Sequence, residues 1–123
     1  MTSAFHETGT VMDKKVRVFP DPVALARVAA SHMEKAALDA VERRGFFSMA
    51  LSGGRSPREL YHALATPPFF GGVPWDRTYL FQTDERCVPP EDPASNIMMI
   101  RDILLNRVPI PEGNVFRIRG EIG

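Results

Sequence analysis

Cysteine is nearly missing: Cys87 is the one thiol among 123 residues. A single thiol excludes an intrachain disulfide and fits a reducing compartment. An excess of charge of either sign is missing too, because fifteen basic residues balance fifteen acidic ones. No bulk field is available to recruit nucleic acid or an anionic membrane, so any anion must be recognised locally. No apolar run approaches the ~20 residues of a membrane span. The N-terminus lacks a basic segment followed by an apolar stretch, so no signal peptide is expected and the expected location is the cytoplasm. No glycine turn ends in Gly-Lys-Ser/Thr, and no Gly-x-Gly-x-x-Gly follows a strand, which disfavours an ATPase or a dinucleotide enzyme. Neither internal repeats nor an interdomain linker is visible.

What is present is ordinary for a globular chain: 44% hydrophobic and 24% charged residues. The length fits one domain, able to bury roughly two-thirds of its unfolded surface. Prolines number eleven, above the usual ~5%, and eight of them cluster at Pro67-Pro68, Pro74, Pro89-Pro90-Pro93 and Pro109-Pro111, where they punctuate elements. Residues 1–14 read as a flexible polar tail, and 15–123 as a single α/β domain. Val16-Arg17-Val18-Phe19 alternates as a strand. Asp21-Pro22 starts a helix whose broad apolar face runs from Val23 and Leu25 to Val41, closed by Arg43, Arg44 and Gly45. Phe46 to Leu51 reads as a strand buried on both faces, and Pro57 to Ala65 as a second helix ended by Thr66-Pro67-Pro68. Thr78–Gln82 is a further strand. Asp92-Pro93 opens a third helix carrying Ile97, Ile100 and Leu104, and Val115–Ile118 is a fourth strand. The β-α-β-α-β-α-β order predicts an open, mainly parallel Rossmann-like sheet with flanking helices.

That topology puts two polar loops on one sheet edge, where ligands bind in such folds. The first is Ser52-Gly53-Gly54-Arg55-Ser56. Its glycines permit positive φ and close approach of a ligand to backbone. Ser56, Pro57 and Glu59 spell a capping box with proline at the first helical position, so the turn reads as a phosphate or carboxylate cradle at a helix start. A tight turn with no ligand uses the same residues. The second loop holds Asp84, Glu85 and Arg86. There a carboxylate can take hydroxyl hydrogen bonds or move a proton, and a guanidinium can hold a phosphate or an oxyanion. Asn96 suits either this cleft or local hydrogen bonding in the first helical turn. Arg55 either supplements the backbone donors or lies in solvent. His6, His32 and His62 occupy a tail and two helices and are not expected to be catalytic. Cys87 has no partner histidine, and Asp84, Glu85, Glu91 and Asp92 lack a ligand spacing, so no metal is assigned.

The block Leu51-Ser52-Gly53-Gly54-Arg55-Ser56-Pro57 with Leu60-Tyr61 and Leu64 resembles the sugar-phosphate turn of 6-phosphogluconolactonases. So does Asp84-Glu85-Arg86-Cys87-Val88-Pro89 with Asp92, Ser95-Asn96, Arg101 and Leu104-Leu105, followed by Asn114-Val115. The resemblance implies hydrolysis of 6-phospho-D-glucono-1,5-lactone to 6-phosphogluconate in the pentose phosphate pathway, without a cofactor. Ser52, Gly53, Gly54, Arg55, Ser56 and Asn96 would bind substrate, and Asp84 and Arg86 would line the reacting end. Many relatives carry Ser-Thr where this chain has Arg55-Ser56. Family members are about twice this length, and their catalytic histidine sits in a later Gly-x-Gly-x-Asp-Gly-His segment with no counterpart here. The resemblance therefore implies the N-terminal half of a larger domain, inactive alone, whose open sheet edge is covered by a C-terminal half or by self-association. Two other readings remain: a glucosamine-6-phosphate deaminase/isomerase, against which Arg86 stands where an aromatic is usual, and a non-catalytic sugar-phosphate-binding module.

Overall fold

The computed structural model describes residues 7–11 and 14–122. Strands β1 (Glu7–Val11) and β2 (Lys14–Val18) pair antiparallel, with Glu7 opposite Val18. The sequence predicts an irregular tail to residue 14 and a place for Val16–Phe19 in the parallel sheet. Instead, Glu7–Val11 forms a strand, and it pairs with β2 in a separate two-stranded sheet. Thr8, Thr10 and Val11 are β-branched and favour extended backbone. The low apolar content of the segment hides this pairing from a hydrophobicity reading. Residues 1–6 of the expected tail lie outside the described residues.

Helix α1 (Pro22–Arg44) begins as its residues dictate. The Asp21 carboxylate accepts the Ala24 amide at 2.7 Å, and Pro22 tolerates the first turn because its missing N–H has no helical partner there. The helix ends at Gly45, whose φ of 88° lets its amide reach the Val41 carbonyl. Its buried stripe is Ala26, Ala30, Met33, Ala37 and Ala40, spaced alternately by four and three residues on one face. The face is narrower than expected, since Val23 and Leu25 are exposed.

Strands β3 (Phe47–Leu51), β4 (Thr78–Gln82) and β5 (Val115–Phe116) form a parallel sheet in that order. Leu51 lies opposite Gln82, and Leu80 opposite Val115. Helices α2 (Arg58–Leu64) and α3 (Phe69–Gly72) connect β3 to β4. Helix α4 (Asn96–Ile100) continues through a wider π-helical turn, Arg101–Leu105, before β5. The third helix therefore starts four residues later than its Asp92-Pro93 signal. There Asp92 organises a turn instead, accepting the Ala94 amide at its side chain and the Ser95 amide at its carbonyl.

The core lies on one face of this sheet. Leu51 and Leu80 meet Ala30 and Met33 of α1, Tyr61 and Leu64 of α2, and Ile100 and Leu104 beyond. The opposite face carries Phe46, Tyr79, Phe81 and Phe116, with Phe81 and Phe116 stacked at 4.9 Å. Those two rings are 43% and 46% exposed, so this face is bare among the described residues. For the same reason β3 is not buried on both faces: Leu51 is buried and Phe47 and Met49 are half-buried, while Ser48 and Ala50 are exposed.

Candidate functional site

Because β3 and β4 are parallel, their C-terminal ends share one edge, and the two polar loops leave from it. The Thr83 amide donates to the Leu51 carbonyl at 3.0 Å, extending the pairing to the loop bases. The buried Tyr61 then fixes the first turn, donating its hydroxyl to the Ser52 carbonyl at 2.6 Å. Burial pushes the Tyr61 hydroxyl up from its ordinary phenolic value despite that bond, so it stays a neutral donor.

Beyond Ser52 the chain runs through Gly53, then Gly54 at φ 88°, a conformation glycine adopts without steric cost. The amides of Gly53, Gly54, Arg55 and Ser56 donate to no acceptor among the described residues. Successive unpaired donors of this kind make an anion-binding concavity. The expected capping box does not form. Pro57 sits at the cap position with no side-chain cap bond, because the Arg58 amide reaches back to the Arg55 carbonyl and folds Ser56-Pro57 into a turn. Helix α2 has only seven residues, so what the turn offers an anion is its own unpaired amides and not a helix end.

Asn96 joins the two loops. Its carboxamide donates to the Asp84 carboxylate and to the Asp84 carbonyl, each at 3.3 Å. The other side of the same group lies directly over Gly53, so close that a β-carbon there would overlap it. Gly53, Asn96 and Asp84 are thus one contact chain, and the expected convergence of the two strand ends is observed. The side chains of Arg55, Ser56 and Arg86 are exposed and make no hydrogen bond or ion pair among the described residues. Both guanidiniums therefore stand on the rim as uncommitted donors.

Glu85, the middle residue of the charged trio, does what the sequence does not reveal. One carboxylate oxygen accepts the Arg86 amide at 2.8 Å and the Asn96 amide at 2.6 Å. The other accepts the Ile97 amide at 3.0 Å, the Ser95 hydroxyl at 2.9 Å and the Gln82 carboxamide at 3.1 Å. Burial pushes this carboxyl up, but the amides of Asn96, Ile97 and Arg86 and the Gln82 carboxamide outweigh it. The net result is a value of about 2. Glu85 is the N-terminal cap of α4, supplied across the loop instead of from Asp92 or Ser95. The only sequence signal was its neighbour relation to Asp84. Behind the loop, Gln82 accepts the Ile118 amide at 2.7 Å, and Gly120 packs its backbone against the Arg86 carbonyl.

Other candidates lie elsewhere. His32 is on α1 beside Arg17, and His62 lines a groove between α1 and α2. A cleft of about 520 Å³ lined by Arg101, Asn106, Glu112 and Arg117 includes none of the two loops' residues. No group of three His, Cys, Asp or Glu side chains among the described residues is placed to hold a metal.

The sequence pattern described as glucosamine-6-phosphate isomerases/6-phosphogluconolactonase matches residues 20–122. A 6-phosphogluconolactonase of Nostoc is 38% identical over 107 residues, 87% of this chain and 43% of its own length. The crystal structure of 6-phosphogluconolactonase from Thermotoga maritima superposes with a TM-score of 0.70 at 30% identity, over 80% of this chain and 43% of that one. A monomeric glucosamine-6-phosphate deaminase superposes with a TM-score of 0.71 at 16% identity, covering 82% and 41%, a likeness of fold alone. The chain spans less than half the length of these relatives. The family pattern matched from residue 20 to 122, together with 38% identity to the Nostoc relative, places the chain in the glucosamine-6-phosphate isomerase/6-phosphogluconolactonase family.

Proposed function

We propose that this chain carries the substrate-holding part of a 6-phosphogluconolactonase, the enzyme that opens 6-phospho-D-glucono-1,5-lactone to 6-phosphogluconate. One observation carries the reading: the Asn96 carboxamide spans Gly53 and Asp84, tying the turn of unpaired amides to a carboxylate two residues before Arg86. The unpaired amides of Gly53 to Ser56 receive the phosphate, with Arg55 as a supplementary cation. Asp84 accepts a sugar hydroxyl, and Arg86 faces the oxygen on which charge develops as water adds to the lactone carbonyl. Attack by water also needs a general base. His32 and His62 sit on α1 and α2 and make no bond to Asp84 or Arg86; the base is proposed to be the histidine of the family segment that has no counterpart here, and the chain alone to bind without turnover. Its working location is proposed to be the cytoplasm.

Titration calorimetry with 6-phosphogluconate tests this. Saturable one-to-one binding is expected, weakened about tenfold or more in Arg86→Ala. Absence of saturable binding removes the reading, and tighter binding of glucosamine 6-phosphate transfers it to the isomerase branch of the family.

The bare aromatic face supports a further part of the same reading. We propose that it is covered by the remaining portion of the family fold, which the longer relatives possess. Apolar patches of this kind attract partners or aggregate. The 123-residue chain is expected to enhance the fluorescence of an apolar dye, and Phe81→Ser to reduce that signal. A monomer giving no enhancement contradicts the assignment, and concentration-dependent dimerisation that quenches the dye points to a second copy instead.

A further inference from the structure

We infer that Glu85 is a positioning residue for the sugar-phosphate site, holding Asn96 between Gly53 and Asp84 through the start of α4. The inference rests on the functional reading above for its ligand, but not for its geometry. Glu85 accepts no hydrogen bond from Gly53, Gly54, Arg55 or Ser56. Its five acceptances are from Gln82, Arg86, Ser95, Asn96 and Ile97. Two of these are decisive for the site. The Asn96 amide sets where the α4 N-terminus begins, and so where the Asn96 side chain stands. The Arg86 amide sets the path of the backbone between Asp84 and Arg86. One carboxylate thereby fixes three of the residues assigned to substrate.

The bonds from Gln82 extend the clamp. Its carboxamide donates to Glu85 at 3.1 Å and accepts the Ile118 amide at 2.7 Å. The edge of β4, the charged loop, the α4 start and the segment after β5 are thus locked through two side chains. Charge matters here as well as shape. An ionised carboxylate accepts all five donors, whereas a glutamine at the same place presents an NH2 group to amides that are themselves donors. Glu85→Gln keeps the volume and breaks the pattern.

The test uses the full chain, isotopically labelled, with Glu85→Gln, Asn96→Ala and the double variant compared at neutral pH. Circular dichroism establishes that each is folded. Side-chain NH2 resonances report Asn96 directly, without any ligand, and 6-phosphogluconate titration reports affinity. In Glu85→Gln the Asn96 signals are expected to shift and broaden, affinity to fall about tenfold, and the double variant to bind no worse than Asn96→Ala by more than about twofold. A folded Glu85→Gln with unmoved Asn96 signals overturns the inference, as do losses that simply multiply. Should Glu85→Gln not fold, Ser95→Ala removes one donor to the carboxylate, and the same displacement of Asn96 is expected at smaller amplitude; unmoved signals there overturn the inference as well. Wild-type chain that fails to bind 6-phosphogluconate sinks the functional reading alone, because the resonance comparison still decides the role of Glu85.

Discussion

Gly53→Ala loses 6-phosphogluconate binding by at least about tenfold and destabilises the chain by roughly 1–3 kcal/mol, the range for a group forced into filled space. The added β-carbon would fall onto the Asn96 carboxamide, so one of the two must move. If Asn96 moves, its bonds to the Asp84 carbonyl and carboxylate break. If the turn moves, Gly54 and the unpaired amides beyond it shift relative to Asn96. Either way the two halves of the site separate. Gly113→Ala is the control, since a β-carbon there meets nothing within 4 Å, and surface changes of that kind stay within about 0.5 kcal/mol. Calorimetry and chemical denaturation of the two variants, side by side, check both numbers. Equal behaviour of Gly53→Ala and Gly113→Ala contradicts the close approach.

Acid should dismantle the same region through Glu85. Its carboxyl is held down to about 2 from 4.5, so the folded state binds the proton less readily than the unfolded one. The stabilisation is complete above the unfolded value and disappears as pH falls from about 5 toward 2. The full shift would correspond to about 3 kcal/mol, and solvent screening of this half-buried group reduces that to on the order of 1–2 kcal/mol. Denaturation midpoints measured from pH 7 to pH 3 are expected to fall steeply for the wild type and less for Glu85→Gln. Parallel curves for the two proteins would show that Glu85 has no part in acid stability.

Much of this was legible in the sequence because it rests on local chemistry. Asp21-Pro22 and Gly45 bracket α1 through a side-chain cap and a left-handed glycine, both of which act on near neighbours. The residues of β4 were readable from a β-branched and aromatic run, and the shared edge of the two loops followed from parallel order alone. What was not legible depends on distant partners. Glu85 caps a helix eleven residues away by bending across the loop, so Asp92-Pro93, a strong local start signal, lost to a non-local cap. Ser56-Pro57 lost its capping role to a backbone turn closed by Arg55 and Arg58. Glu7–Val11 is extended because β2 pairs with it, not because its own residues are apolar. The bare side of the sheet reflects which helices are present, a property no strand carries in its own residues.

The central claim is that the Gly53–Ser56 turn and the Asp84–Arg86 loop act as one anionic-sugar site bridged by Asn96. Amide and side-chain resonances followed while 6-phosphogluconate is added test it most directly. The account predicts that Gly53, Gly54, Arg55, Ser56, Arg86 and the Asn96 carboxamide shift together along one saturation curve. Shifts confined to the cleft between Arg101 and Arg117, or to one loop without the other, would contradict it.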